Sequence, residues 1–210
     1  MRVCILGASG GIGRYIVSKS LAMGYEVSCQ TRDADNLTQF SDQVRVYEFH
    51  PTDSERLSEF VAGADVVVFA LGADILGPST LFSQVTKTLI ALMTEHNIAR
   101  LITITGVGAG ETKGHGGFIY DWIGYPLITK RIYKDKDLQE SLIKKSSLDW
   151  IIVRPAVFTN REQKNALQVV TEILPDTVLR RVSRQEVAEF VVDQFKSNTY
   201  LHKCPFIGRP

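Results

Sequence analysis

The chain has 210 residues, of which 44% are hydrophobic and 22% charged, and its net charge is +1. These values are those of a globular protein that forms one domain, and a charge so close to zero gives no reason to expect nucleic acid or an anionic membrane as a partner. The longest apolar run, Val66 to Gly72, is far too short to cross a bilayer.

The cysteines and histidines indicate neither disulfides nor a metal site. Cys4, Cys29 and Cys204 are odd in number and widely separated, which is typical of buried thiols in a reducing compartment. The four histidines lack the spacing of metal ligands. A predicted strand follows Met1 directly and leaves no room for a signal peptide. We therefore expect a cytoplasmic protein without a bound metal.

An apolar stretch, a glycine-rich turn and a helical pattern follow one another at the start of the chain. Val3 to Leu6 is predicted to form a buried parallel strand, and the periodicity of residues 15–23 predicts a helix. Gly7, Gly10 and Gly13 lie between them. Glycines let the backbone come close to phosphates, and a helix N-terminus offers free N–H groups and partial positive charge. This order predicts a dinucleotide site; the alternative is a glycine-rich turn without a ligand.

Strands and helices then alternate along the chain. Strands are predicted at 26–31, 42–48, 64–71, 100–105 and 148–153, and helices at 53–61, 79–96 and 126–145. Arg154 and Pro155 are predicted to end the sixth strand. Beyond them we expect a strand at 166–171, a helix over 183–196 with Ser183 and Glu186 as a capping box, and a short strand at 205–207. The alternation predicts an α/β fold with a doubly wound parallel sheet and helices on both faces, in a single domain.

A glycine-rich stretch between residues 106 and 125 interrupts this alternation. It follows the fifth strand, at the edge where open α/β sheets bind ligands. Its aromatic residues are Phe118, Tyr120, Trp122 and Tyr125. We interpret the stretch as a mobile flap on the substrate side, with a tolerated surface loop as the alternative.

The residues after the second strand bear on the choice between NADP and NAD. A carboxylate at the end of this strand would hydrogen-bond a ribose 2′-hydroxyl and repel a 2′-phosphate. Gln30 and Thr31 stand there instead, and Arg32 follows. Arg32 favours NADP (NADPH) over NAD, because an arginine–phosphate contact contributes on the order of 1.5–3 kcal/mol. Asp33 lies at about the right distance for a ribose acid, but we interpret it as a turn residue. Arg14 is a second phosphate candidate; the alternative is an ordinary exposed helix arginine.

Three segments together carry a resemblance to a known family. They are the glycine motif of residues 7–13, Thr31-Arg32-Asp33, and residues 147–155, which read Ser-Leu-Asp-Trp-Ile-Ile-Val-Arg-Pro. They resemble the atypical short-chain dehydrogenases/reductases, and most closely the small NmrA-like branch that includes biliverdin and flavin reductases. The resemblance covers nearly the whole chain and implies an NAD(P)-binding Rossmann domain over residues 1–210, with a substrate-side segment from about 156 to 210. It does not identify a substrate.

The resemblance also implies which residues contact the dinucleotide. The pyrophosphate would lie along the glycine turn, the nicotinamide and its ribose between the ends of the fourth and fifth strands, and the carboxamide after the sixth. The implied residues are Gly7, Ser9, Gly10, Gly11, Ile12, Gly13, Leu71, Gly72, Thr105, Pro155 and Val157, in addition to Arg32.

The residues that ordinary short-chain dehydrogenases use for proton transfer are altered. Those enzymes place a tyrosine four residues before a lysine, whose ammonium lowers the pKa of the phenol. Here the family's lysine corresponds to Lys136, and Ile132 stands four residues before it. Tyr133, displaced by one position, is either a proton donor or an ordinary tyrosine of an amphipathic helix. Thr105 stands where dehydrogenases carry the serine that holds the substrate carbonyl, or it bonds the backbone within its strand.

Two functions are consistent with this pattern. The first is an NADPH-dependent reductase of a planar acceptor such as a flavin, a quinone or a tetrapyrrole, because solvent can supply the proton when hydride reaches such a molecule. The second is a non-catalytic NADP-binding sensor of the NmrA type, which the incomplete catalytic pair favours. A small-molecule substrate is expected for the first, and the sequence indicates neither the oligomeric state nor a partner protein.

Overall fold

A computed structural model describes residues 1–72, 80–112, 130–160 and 166–210. The strands are β1 (Arg2–Leu6), β2 (Glu26–Thr31), β3 (Val44–Glu48), β4 (Val66–Phe69), β5 (Arg100–Ile104), β6 (Asp149–Pro155), β7 (Val157–Phe158), β8 (Gln168–Val170), β9 (Arg181–Val182) and β10 (Phe206–Gly208). The α-helices are α1 (Gly13–Ala22), α2 (Ser54–Val61), α3 (Leu81–Glu95), α4 (Lys130–Lys144) and α5 (Arg184–Asp193). Short 3-10 helices span Ala34–Phe40 and Gly110–Thr112.

Eight of the strands form one sheet in the order β3-β2-β1-β4-β5-β6-β10-β8. Neighbouring strands are parallel except at the edge, where β8 runs antiparallel to β10. The first six strands have the order of a Rossmann fold, so the predicted fold class is confirmed. The strand order reverses between β1 and β4, and the crevice at the carboxyl ends of these two strands is where such folds bind nucleotides.

Both faces of the sheet are covered by helices. Along β4, Val66 and Val68 pack in the core that contains α1 and α5, whereas Val67 and Phe69 pack in the core that contains α2 and α3. This alternation is the two-residue period of a strand that is buried on both sides. Cys4 and Cys29 lie in these cores, and burial raises the pKa of their thiols to about 11 and about 12, respectively.

The sixth strand ends at Pro155, so the prediction that Arg154 and Pro155 end it is confirmed, although both residues belong to the strand and the predicted bound of 153 is two residues short. Pro155 has no N–H to donate, but its carbonyl accepts a hydrogen bond from Val107 N at 2.8 Å. Arg154 N donates to Pro205 O at 2.8 Å, and Ile207 of β10 stands opposite Pro155. A proline costs a strand only one donor, and its φ suits extended backbone, so Pro155 can stand as the last residue of the strand.

The last third of the chain folds back onto the sheet. The predicted strands at 166–171 and 205–207 are confirmed as β8 and β10, and the predicted helix over 183–196 as α5. The capping box is also confirmed, because Ser183 Oγ accepts from Glu186 N at 3.2 Å and the Glu186 carboxylate accepts from Ser183 N at 3.0 Å. The small parallel ladder between β7 and β9 was not predicted.

Most of the predicted flap lies outside the described residues. Residues 106–112 form a turn with positive φ at Gly106, Gly108 and Gly110, but the four aromatic residues of the stretch belong to the undescribed part. Within the described ranges, no helix is both long enough and apolar enough to cross a bilayer. The same ranges contain no group of three side chains that could hold a metal ion.

Candidate functional site

The glycine turn after β1 is too tightly packed for side chains at two of its positions. Gly7 has φ of +79°, and a Cβ on it would lie 2.8 Å from Ala70 O and 2.9 Å from Leu71 Cα. A Cβ on Gly13 would clash with the carbonyl oxygen of Gly7. Helix α1 therefore begins directly against the end of β1, beside the end of β4. Glycine is required because the backbone of three elements meets here.

The amino end of α1 offers hydrogen-bond donors. Its N-cap is Ile12, which makes no side-chain hydrogen bond to the first turn, and no acidic residue stands in that turn. Within the described residues, the partial positive charge of the helix end is therefore not offset by a side chain. Such an end, reached through glycines without side chains, fits a diphosphate group.

Gln30 holds the glycine turn in place, a role that the sequence analysis missed. Its side chain is buried, with 1% exposed. Its Oε1 accepts from Gly7 N at 3.0 Å, and its Nε2 donates to Phe49 O at 2.7 Å. The same amide thus connects the turn to the chain after β3. In the sequence, Gln30 was informative only because it is not a carboxylate.

Arg32 and Asp33 differ in whether their side chains have hydrogen-bond partners. Arg32 is exposed at the end of β2, and no described side chain pairs with it. Asp33 caps the 3-10 helix that follows, because its Oδ1 accepts from Asp35 N at 3.0 Å and its Oδ2 from Asn36 Nδ2 at 2.8 Å. Both carboxylate oxygens are thus occupied, which confirms Asp33 as a turn residue.

Two further predicted residues lie beside this strand end and the turn. The hydroxyl of Thr31 lies 2.9 Å from that of Ser9, which brings Ser9 to the end of β2. Arg14 is half-buried, and its Nε is buried without a hydrogen-bond partner among the described residues. Arg14 is therefore not the ordinary exposed arginine that was the alternative.

The other predicted cofactor residues stand at the same edge of the sheet. Leu71 and Gly72 follow β4, Thr105 follows β5, Pro155 ends β6 and Val157 begins β7. Since β1, β4, β5 and β6 are parallel neighbours, these residues share the edge with the glycine turn. Their individual contacts with a dinucleotide stay predictions.

Thr105, Tyr133 and Lys136 come together at the end of β5. Lys136 Nζ donates a hydrogen bond to Thr105 O and lies 5.8 Å from the centre of the Tyr133 ring. The Tyr133 hydroxyl faces Gly106, where a Cβ would lie 3.5 Å from its oxygen. The displaced tyrosine therefore still reaches the strand end that the lysine contacts.

Lys136 has an altered acidity. Burial lowers its pKa to about 8, although the negative charge of Glu140 acts in the opposite direction. The ammonium group also lies 5.2 Å from the centre of the Phe82 ring. An amine with a pKa near neutrality can change its protonation state at working pH, which is a property of lysines that take part in catalysis.

The hydroxyl of Thr105 has a partner that the sequence did not indicate. Thr105 is 6% exposed, and its Oγ1 donates to Glu140 Oε1 at 2.8 Å. The bond is made to a carboxylate and not to the backbone. A role of Thr105 in holding a substrate stays a prediction.

Glu140 and Arg154 form a buried ion pair that was also missed. Arg154 Nε and Nη2 donate to the two carboxylate oxygens of Glu140 at 3.1 and 2.5 Å, and the two side chains are only 2% and 3% exposed. Glu111 adds a contact to Arg154 Nη1 at 2.6 Å. The pair joins α4 to β6 and so helps to position Tyr133 and Lys136. The available signal was an arginine at the end of an apolar strand.

Residues 7–198 match the sequence profile of the NAD(P)H-binding family. The chain belongs to this family. An uncharacterized chloroplastic protein of Arabidopsis thaliana is 25% identical over 208 residues, which cover 91% of this chain and 71% of the relative.

Solved structures share the fold. ChuY, an anaerobilin reductase from Escherichia coli O157:H7, has a TM-score of 0.81 and 20% identity over 100% of this chain and 98% of that one. A short-chain dehydrogenase/reductase from Veillonella parvula in complex with NADP has a TM-score of 0.80 and 17% identity, over 100% and 94% of the two chains. These likenesses show a shared fold, and the family assignment rests on the sequence profile.

In this NAD(P)H-binding protein, a second buried acid, Asp135, helps to fix the position of α4. Asp135 Oδ2 accepts from Phe82 N at 2.8 Å, and its Oδ1 accepts from Ser83 N at 3.2 Å. The carboxylate of one helix thus caps the amino end of another, since Thr80 makes no side-chain cap for α3. Asp135 lies between Tyr133 and Lys136 in sequence, so the cap orients the helix turn that carries both.

Proposed function

We propose that the protein is an NADPH-dependent reductase that reduces a planar electron acceptor, of the flavin, quinone or tetrapyrrole class. One observation carries the proposal: Tyr133 and Lys136 meet the end of β5 at the edge of the sheet that also bears the glycine turn. A dinucleotide that spans this edge has its nicotinamide end on the side of β4 to β6. The two titratable side chains therefore lie beside the expected reaction centre.

The choice of NADPH is supported by the end of β2. The Arg32 guanidinium is exposed and has no described partner, so it is available to a 2′-phosphate. The Asp33 carboxylate is occupied in capping and is thereby less available to a ribose hydroxyl. A contact between arginine and phosphate is charge-assisted, which is why it discriminates between the two cofactors.

The chain's own residues would bind and orient the cofactor and move the proton. The N–H groups of the glycine turn and the Ser9 hydroxyl would hold the diphosphate. Bound NADPH supplies the hydride. Lys136, as an ammonium 5.8 Å from the Tyr133 ring, would make the phenol a better acid, and the Tyr133 hydroxyl would donate to the reduced acceptor.

The Thr105 hydroxyl is engaged with Glu140 and is less free to hold a substrate carbonyl. This arrangement suits acceptors whose reduction does not require a threonine hydroxyl on the substrate carbonyl.

The same Thr105 observation favours a second candidate, a non-catalytic NADP-binding sensor. A site in which the substrate-holding hydroxyl is bonded to Glu140 would bind the dinucleotide without being arranged for reduction. The binding half of the site would then serve to change the behaviour of a partner protein.

Consumption of NADPH in the presence of different acceptors separates the two functions. The acceptors are flavins, quinones and linear tetrapyrroles, together with anaerobilin, because a protein of this fold is an anaerobilin reductase. We expect turnover with at least one of them, and slower turnover by Tyr133→Phe. Tight NADPH binding without turnover of any acceptor would contradict the reductase and support the sensor.

A further inference from the structure

Arg184, from the last third of the chain, lies against the glycine turn. A Cβ on Gly11 would lie 3.0 Å from Arg184 Nε, 3.5 Å from its Cδ and 3.9 Å from its Cζ. The guanidinium therefore stands in the space that a side chain at Gly11 would occupy. Gly11 itself is exposed, so this arginine forms a second wall beside the amino end of α1.

Several contacts hold the guanidinium in this position. Arg184 is the first residue of α5, directly after the Ser183 cap, and α5 packs against α1. The guanidinium lies 4.9 Å from the centre of the Phe158 ring, and its Nη1 donates to Asn160 Oδ1 at 3.2 Å. A ring contact and an amide contact orient the group without neutralising its charge.

The position is electrostatically unfavourable without an anion. The amino end of α1 carries partial positive charge and has no acidic residue in its first turn. Arg184 adds a full positive charge next to it, and no carboxylate of the described residues forms an ion pair with Arg184. Like charges held together in this way repel each other, and an anion between them converts the repulsion into attraction.

We infer that Arg184 binds the diphosphate of the dinucleotide from the side opposite the helix end. The inference rests on the proposed function, in that the glycine turn holds the cofactor's phosphates. The contact is charge-assisted, and the planar guanidinium offers several donors to phosphate oxygens. The glycine turn and Arg184 then both bind the phosphates. The cofactor thereby connects the glycine turn with the segment that bears β7 and α5.

The diphosphate is common to NADPH and NADH, so the two cofactors together distinguish the role of Arg184 from that of Arg32. Loss of Arg184 weakens both cofactors by the same factor, whereas loss of Arg32 weakens NADPH selectively. Adenosine 2′-monophosphate, which has the 2′-phosphate and no diphosphate, provides the third ligand. Its binding depends on Arg32 and not on Arg184.

Calorimetric titration of the full chain tests the inference with these three ligands. Arg184→Gln is expected to raise the Kd of NADPH and of NADH alike, by about ten- to a hundredfold, and to leave adenosine 2′-monophosphate unchanged. Arg184→Lys keeps the charge and retains part of the affinity for both cofactors. Arg56→Gln is the matched control, since Arg56 is exposed on α2 and pairs with Glu59, and it leaves all three constants unchanged.

An unchanged Kd for both cofactors in Arg184→Gln overturns the inference, and so does a loss confined to NADPH. Failure of the proposed function has a different signature. If the wild type binds NADH as tightly as NADPH, or binds NADPH but reduces no acceptor, the cofactor choice or the reaction is wrong, while the equal loss of both cofactors in Arg184→Gln still supports the role of Arg184.

Discussion

At the scale of single residues, neighbours in the chain have different roles because their side chains find different partners. Arg32 is exposed and unpaired within the described residues, whereas the carboxylate of Asp33 caps the next helical turn. A capping carboxylate accepts hydrogen bonds from backbone and side-chain donors that would otherwise bind water. We therefore expect the cofactor preference to depend on one side chain at this position, that of Arg32.

Replacing Arg32 tests that preference. Arg32→Ala is expected to raise the Kd of NADPH by about ten- to a hundredfold, because a charge-assisted phosphate contact is lost. NADH has no phosphate at this position, so its Kd should hardly change. Calorimetric titration measures both constants, and Arg56→Ala serves as the control at an exposed site. Equal losses for NADPH and NADH would show that Arg32 does not contact the 2′-phosphate.

The altered acidity of Lys136 leads to a pH prediction. Burial lowers its pKa to about 8, so the ammonium form predominates below that pH and the neutral amine above it. If the ammonium assists Tyr133, kcat/KM for acceptor reduction falls as pH rises through about 8. Lys136→Met should lack this fall, and its rate below pH 8 should be lower by up to about a hundredfold. The measurement is a pH–rate profile of both proteins; the same alkaline fall in Lys136→Met would exclude Lys136 as its cause.

At the scale of elements, α4 is the helix on which the proposed chemistry depends. It carries Tyr133 and Lys136. Two of its acidic side chains hold it against neighbouring elements, because Asp135 caps α3 and Glu140 pairs with Arg154 of β6. These contacts are between groups that are buried and polar or charged, so losing one partner leaves the other unsatisfied. The position of the helix is therefore sensitive to single substitutions.

Glu140→Gln tests this dependence. Breaking a buried ion pair by removing one partner costs about 3–5 kcal/mol of unfolding free energy, because the remaining charge stays buried. The loss is expected at the lower end of this range, because Glu111 still contacts Arg154. The matched control is Glu59→Gln, which removes a carboxylate from the exposed Arg56–Glu59 pair and should cost less than about 1 kcal/mol. Guanidinium unfolding gives both values. Similar, small losses in the two variants would mean that the pair does not anchor α4.

At the scale of the whole molecule, the end of the chain is tied back to the last helix. Strand β10 lies between β6 and β8, and Arg209, directly after it, binds the carboxylate of Glu186 in the first turn of α5. The hydrogen bonds from Arg209, opposed by partial burial, lower the pKa of Glu186 from 4.5 to about 2. The carboxylate also accepts from Ser183, so one acid links the helix cap and the last strand.

The stability of the whole protein should therefore decline in acid. A depressed pKa contributes stability that is fully present above about pH 4.5 and is lost as pH falls towards 2. Glu186→Gln is expected to lower the unfolding free energy at neutral pH by about 1–2 kcal/mol, once screening at this partly exposed pair is considered.

Urea unfolding at pH 7 and pH 3 compares the wild type with Glu186→Gln. The difference between them should shrink at the lower pH, because at pH 3 the carboxylate is mostly protonated in the unfolded chain while it stays ionised in the folded one, and this proton uptake favours unfolding. Glu189→Gln, on the same helix, is the control. A difference that is independent of pH would exclude the carboxylate charge as its source.

Local patterns were enough to predict most elements. The predicted bounds of the second strand, 26–31, are the observed ones, and the predicted capping box of Ser183 and Glu186 is confirmed. The end of the sixth strand shows the limit of such reasoning. The predicted bound of 153 is two residues short, because β10, far along the chain, pairs with Arg154 and Pro155.

By itself, the sequence determined the fold class, the glycine turn and the absence of a carboxylate at the end of β2. These features are local, because periodicity, glycine spacing and caps act between residues that are near one another in the chain. Only the tertiary structure decided that Gln30 holds the turn, that Glu140 pairs with Arg154 and that Arg184 reaches Gly11. Those contacts depend on strand order and on the packing of α1 against α5, which bring distant residues together at distances that no spacing in the sequence encodes.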